Sequence, residues 1–203
     1  MAGILPFKSV RPRADLADRI AALPYDVYNR AEAKAEVERE PMSFLAIDRA
    51  ETSFDDNVST YDDRVYKAAS EMLNKRIEEG SFIQDDTDCY YIYELTMDGR
   101  AQTGIVAVAS VDDYDNAVIK KHENTRAEKE QDRIRHVDTC NAQTGPIFLA
   151  YRRNEVITDC VNKHKKGEAV YDFTSPDGIR HRVFKIDDAD SINAIKEAFA
   201  GIN

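Results

Sequence analysis

A chain of 203 residues, 42% hydrophobic and 33% charged, is long enough to bury a substantial core as one large domain or two small ones. Its 38 acidic residues outnumber 28 basic ones and leave a formal net charge of -10. That field repels phosphate backbones and anionic headgroups, so nucleic acids and membrane surfaces are not the expected partners. No apolar run approaches the roughly 18 residues that a bilayer span requires, and residues 1–10 lack the basic start and apolar stretch of a secretory signal. Cys89, Cys140 and Cys160 are widely spaced, with no CxxC pair. Free thiols in a reducing cytoplasm are therefore expected, rather than a disulfide scaffold or a zinc knuckle.

In chain order, Leu16, Ile20 and Leu23 share one face of a short helix over 14–23, which Pro24 stops. Tyr25-Asp26-Val27 follows as a loop or short strand, and a second helix spans 30–39 before Pro41. The apolar run SFLAID over 43–48 reads as a buried strand. Ser59 and Asp62 form a capping box for a helix reaching Glu79 and burying Val65, Ala69, Met72, Leu73 and Ile77, with Gly80 as its left-handed cap. Residues 89–97 and 102–111 make a hairpin around Asp98-Gly99, and apolar residues on both faces predict a central place in a sheet. A second hairpin pairs 169–173 with 179–186 across Ser175-Pro176-Asp177-Gly178.

Between the hairpins the pattern predicts a strand ending at Val118-Ile119, a polar helix after Thr125, an apolar strand over 146–151 and a helix over 155–165. A final helix covers 191–199. Hairpins mixed with separate helices predict an α+β fold with a mixed, mostly antiparallel sheet, rather than a regularly alternating α/β one. With no Gly/Pro/Ser-rich linker, one domain over 1–203 is expected; the alternative sets off a minor lobe over 167–203.

The stretch from Lys121 to Arg133 is the richest candidate for chemistry. A strand exit at Lys121-His122-Glu123, then Thr125 as N-cap with Glu128 completing a capping box, aims backbone N–H groups and the positive helix end into one loop. Arg126, Lys129, Arg133 and His136 recur at spacings of three, four and three, along one face. Lys121, Thr125, Arg126, Lys129 and Arg133 are thus the candidate anion-binding residues, with Arg133 suited to a bidentate grip on phosphate or carboxylate. His122 and Glu123 at the loop mouth are the candidate acid/base pair. The same charges also read as a solvated helix laced with ion pairs, because Glu128, Glu130, Asp132 and Asp138 balance them. A low apolar count favours the cleft: Ala127, Ile134, Val137 and Cys140 bury little. Arg11, Tyr25 and Asp26 sit in irregular segments and are candidate substrate contacts. The four histidines form no HxH or HExxH pair, so no metal site is expected.

PFKSVRP near the start, PYDV at Pro24, SFL at Ser43, YIYE at Tyr91, and above all KHENTRAEKEQDR from Lys121 followed by GPIFLAY, resemble the bacterial and archaeal family called domain of unknown function 1015. Its members are often labelled SpoOJ/ParA/ParB/RepB-like. The resemblance runs in order over nearly the whole chain. It implies a protein about twice this length, with an Asp-Gly-His-His-Arg motif of the ParB/sulfiredoxin kind in its second half. That motif is absent here, so the chain is expected to be an N-terminal half.

The superfamily includes free-serine kinases, and the resemblance therefore implies phosphoryl transfer from a nucleotide, ATP or ADP with Mg²⁺, to a small hydroxyl compound such as serine. Arg126, Lys129 and Arg133 would hold phosphate, while His122 and Glu123 would orient or deprotonate the hydroxyl. A non-catalytic ligand sensor using the same pocket is the alternative. ParB-like DNA binding comes third, opposed by the acidic balance.

Overall fold

The computed structural model describes residues 3–121 and 125–202. Its helices are α1 (Ala17–Ile20), α2 (Arg30–Arg39), α3 (Leu45–Asp48), α4 (Asp63–Glu78), α5 (Val111–Asp115), α6 (Ala127–Cys140), α7 (Glu155–His164) and α8 (Ala189–Ala200). Its strands are β1 (Ile4–Leu5), β2 (Val10–Pro12), β3 (Phe82–Gln84), β4 (Tyr90–Met97), β5 (Arg100–Val106), β6 (Val108–Ala109), β7 (Tyr171–Thr174) and β8 (Arg180–Ile186). The architecture is α+β, with antiparallel sheets. The chain divides into two compact units: residues 3–14, 84–121 and 149–202 form the first, and 15–83 with 125–148 the second. Among the described residues, no helix is long and apolar enough to cross a membrane.

The first unit is built on an antiparallel sheet in the order β5-β4-β8-β7. Asp98 and Gly99 take φ of 50° and 76°, as a two-residue turn whose twist matches its strands requires. β4 is central, as its two apolar faces predict. Alternation along it sends Tyr90, Ile92 and Glu94 to one face, where Tyr90 and Ile92 join Phe184 and Ile186 of β8. Ile157 of α7 with Ile195 and Phe199 of α8 completes that core. Glu94, 1% exposed, is held by Arg182, Lys165 and Thr103. Burial pushes its carboxyl up, but the bonds from Lys165, Arg182 and Thr103 outweigh that and draw it down to about 2. The first strand pairs elsewhere, Ile4 with Ala109 and Leu5 with Val108.

In the second unit, Ile47, Ala50, Val65, Ala69, Leu73 and Cys140 form the core. Asp62 caps α4 by accepting from the Arg64 N–H at 3.0 Å, so the helix starts after Asp62 rather than after Ser59. Its buried face carries Val65, Tyr66, Ala69, Leu73 and Arg76, while Ile77 is exposed. Arg76 displaces it because the guanidinium donates to the carbonyls of Pro41, Met42 and Ser43 at 2.8, 2.9 and 3.3 Å. Gly80 takes φ of 75° as the helix ends.

Three predicted strands are absent. SFLAID forms the short helix α3, because a brief apolar run has no period to separate strand from buried helix. The hairpin return stops at Val106; Ser110 caps α5 by accepting from Asp113, and Val118-Ile119 lies beyond that helix without a ladder. Residues 146–151 belong to no helix or strand, with Ile147 and Phe148 exposed at 77% and 78%.

Glu94→Ala should cost about 3 kcal/mol, because it strands Arg182 and Lys165 beside a buried sheet. Urea denaturation measures this, and a loss below about 1 kcal/mol would contradict the network's role.

Candidate functional site

α6 buries Asp132, His136 and Cys140, three residues at intervals of four, so the covered face of this helix is polar for most of its length. Each buried group finds a partner. Tyr66 on α4 donates its hydroxyl to Asp132 Oδ1 at 2.8 Å. Arg133 donates from Nε and Nη2 to Asp132 Oδ2 at 3.1 and 2.9 Å. Arg135 pairs with Asp63, and its guanidinium lies 4.4 Å from the Tyr66 ring centroid.

Lys129 and Arg133, one helical turn apart, face a cleft of about 280 Å³ whose walls include Tyr25, Asp26, Asp48, Arg49, Glu51, Tyr66, Asp132 and His136. Arg133 lies over the Tyr25 ring, 4.3 Å from its centroid, a stacking that a planar guanidinium makes well. The Tyr25–Val27 turn is held by Arg49, whose Nη1 donates to the carbonyls of Tyr25 and Tyr28 at 2.9 and 2.7 Å while Nε meets Glu51 at 2.6 Å.

Asp48 ends α3 in this wall. Burial pushes its carboxyl up to about 6, against the pull of Arg133 and of a hydrogen bond with Thr144. His136 Nε2 lies 3.7 Å from Asp48 Oδ1 and 3.8 Å from Cys140 Sγ. Burial and the charge of Arg133 push this imidazole down to about 4, with Asp132 opposing, so it is neutral at pH 7. Burial also raises the Cys140 thiol, and burial with the Asp132 bond raises Tyr66 to about 12. At neutral pH the cleft therefore presents carboxylates, guanidinium and ammonium groups beside a neutral imidazole.

Of the residues singled out in the sequence, Tyr25, Asp26, Lys129 and Arg133 come together here. Thr125 is not the N-cap: Arg126 occupies that position, without a side-chain capping bond, and both are exposed. With no strand at Val118-Ile119 either, the expected strand-loop-helix cradle for anions is replaced by the side of the helix. Lys121 belongs to the first unit, its ammonium 4.1 Å from the Tyr114 ring centroid. Arg11 also lies there, donating to Asp85, Tyr91 and Tyr171 at 3.3, 2.9 and 3.2 Å. His122 and Glu123 lie outside the described residues. Asp48, Arg49, Glu51 and Tyr66 were not visible as site residues. The signal in reach was Asp132, a carboxylate on the same helix side as Arg133, which reads equally as a charge balancing a solvated helix.

The family model described as protein of unknown function, DUF1015, matches residues 4–203. The chain belongs to the DUF1015 family. The match does not extend to the ParA/ParB-like label that the resemblance carried. No curated protein matches this DUF1015 chain, and no solved structure matches it. Among the described residues, no group of three or more His, Cys, Asp or Glu side chains is placed to hold a metal ion.

Asp48 supplies a stability signature. A carboxyl raised from 3.8 to about 6 on folding favours the native state as pH falls from 6 toward 4, and its ionised form costs stability above pH 6. Asp48→Asn should therefore be more stable than the parent by about 1–3 kcal/mol at pH 8, with the gain vanishing near pH 4. Denaturation across that range checks it; a gap that does not change with pH would contradict the burial of this charge.

Proposed function

We propose that the cleft beside Arg133 binds a small polar metabolite bearing a carboxylate or phosphate, and that the family's activity is phosphoryl transfer to a hydroxyl of that compound. Free serine is the leading acceptor. The observation that carries the binding half is the Arg133 guanidinium stacked on Tyr25, with Lys129 one turn away on the same wall. Its Nη1 is 3.9 Å from Asp48, too far for a hydrogen bond, and is the donor positioned for a ligand oxygen.

Size favours an amino-acid-sized occupant. About 280 Å³ lies just below the range of drug-sized small-molecule sites, about 300 to 1,000 Å³. A nucleoside triphosphate is far larger than serine, so in this reading the acceptor, not the donor, fills the cleft. ATP or ADP would supply the phosphoryl group with a Mg²⁺ held largely by its own phosphates. The chain's contribution is positioning and charge neutralisation by Lys129 and Arg133, the main demands of this reaction class. The acid/base roles of His122 and Glu123 rest on the KHENTRAEKEQDR motif alone.

The same small volume favours a second reading, a sensor that binds the metabolite without chemistry. Duplex DNA is not proposed, because a net charge of -10 opposes it.

Arg133→Ala should weaken the metabolite's binding by about 30–100-fold, the worth of a charge-assisted contact of roughly 2–3 kcal/mol. Thermal shift against hydroxy acids, amino acids and phosphate identifies the ligand, since stabilisation grows with concentration over the dissociation constant. Incubation with ATP, Mg²⁺ and serine should then yield phosphoserine, and Glu123→Gln should abolish product while sparing affinity. Binding without product in the parent protein would leave the sensor; equal affinity in Arg133→Ala would remove both readings.

A further inference from the structure

We infer that the metabolite carries a positively charged nitrogen that pairs with Asp48, so that the site selects amino-bearing acids over purely anionic ones. This rests on the reading of the cleft as a metabolite site and adds the ligand's second charge.

The charges on the cleft wall do not balance. The cleft is lined by four carboxylates, Asp26, Asp48, Glu51 and Asp132, against three cations, Arg49, Lys129 and Arg133, so its wall holds one negative charge in excess. The pairs are unevenly made. Glu51 is neutralised by Arg49 at 2.6 Å, and Arg49 is further occupied by two carbonyls. Asp132 takes the close fork of Arg133 and the hydroxyl of Tyr66. Asp48 is left with the distant Nη1 of Arg133 at 3.9 Å.

The other described groups that meet Asp48 are neutral. From α6, His136 at 3.7 Å is an uncharged imidazole, and Cys140 is a thiol kept protonated by burial. From the chain after α6, Thr144 gives a neutral hydrogen bond. With its side chain 16% exposed, Asp48 has little water to compensate. The result is an under-neutralised carboxylate on the wall of a cleft, and the raised carboxyl is its expected symptom.

A second anion entering alone would meet a wall that is already negative. An ammonium at Asp48 completes the missing pair, and the carboxylate of the same molecule then reaches Arg133 Nη1 or Lys129. A zwitterion satisfies both ends where a simple hydroxy acid or inorganic phosphate satisfies one.

Matched pairs test this on the protein: L-serine against 3-hydroxypropionate, and L-threonine against 3-hydroxybutyrate, each pair differing by the amine, with inorganic phosphate as the anion-only probe. Calorimetry at pH 7.5 should find the amino member of a binding pair at least 30-fold tighter. That ratio should collapse toward one in Asp48→Asn, whose fold is checked by circular dichroism. Affinity for the amino member should also fall as pH drops through 6, because protonated Asp48 no longer attracts an ammonium. Equal binding within each pair, or an undiminished ratio in Asp48→Asn, overturns the inference while leaving the cleft a binding site. No binding by any of the five compounds overturns the inference together with the metabolite reading beneath it.

Discussion

A helix that buries a carboxylate, an imidazole and a thiol has to be met by partners of the right kind. Asp132 is nearly covered, and an unpaired buried carboxylate would cost several kcal/mol. The Tyr66 hydroxyl and the Arg133 fork remove that cost. Those two bonds fix where Arg133 lies, and its position determines the rest of the cleft: the stacked Tyr25 ring, the one-sided relation to Asp48, and the suppressed basicity of His136. Arg49 plays the supporting part by holding the Tyr25 turn through its carbonyls.

Two aspartates in the same chain, one buried and one partly buried, show why the surroundings decide the role. In the first unit, Asp85 is 7% exposed, and burial alone would raise its carboxyl. Tyr91, Arg11 and Lys185 more than reverse this, and the group ends below its ordinary range. Tyr171 joins the network by bonding to Pro12 and accepting from Arg11. That cluster is saturated, and it reads as a strut. Asp48 has the same side chain, partly buried at 16% exposure, but lacks the close cation, so its carboxyl is displaced the other way. An incomplete network beside a cavity is what a ligand completes; a complete one holds a fold together. Such unmet charge is expected to reduce stability where binding needs it.

The legible part of the site was its helical side. Lys129 and Arg133 share a face through spacing alone, and the scarcity of apolar residues on that helix already favoured an inward polar face. The illegible part came from the end of α3 and the residues just after it. Asp48, Arg49 and Glu51 follow an apolar run that mimics a strand, and nothing local says that its end turns toward α6. Thr125 failed as a cap for a related reason: its motif satisfies local rules, yet the helix begins two residues later.

The sequence by itself determined the elements with a strong period or an unambiguous turn. The hairpin at Asp98-Gly99, the amphipathic α4 ending at Gly80 and the final α8 follow from side-chain alternation, helical spacing and the left-handed freedom of glycine, which are all properties of neighbouring residues. Tertiary structure alone decided which short apolar runs become strands, because a strand exists only where a partner supplies its ladder; α3, Val118-Ile119 and residues 146–151 found none. It also decided the protonation of Asp48 and His136, since the field on Asp48 comes from Arg133 on another helix and both groups are desolvated by packing.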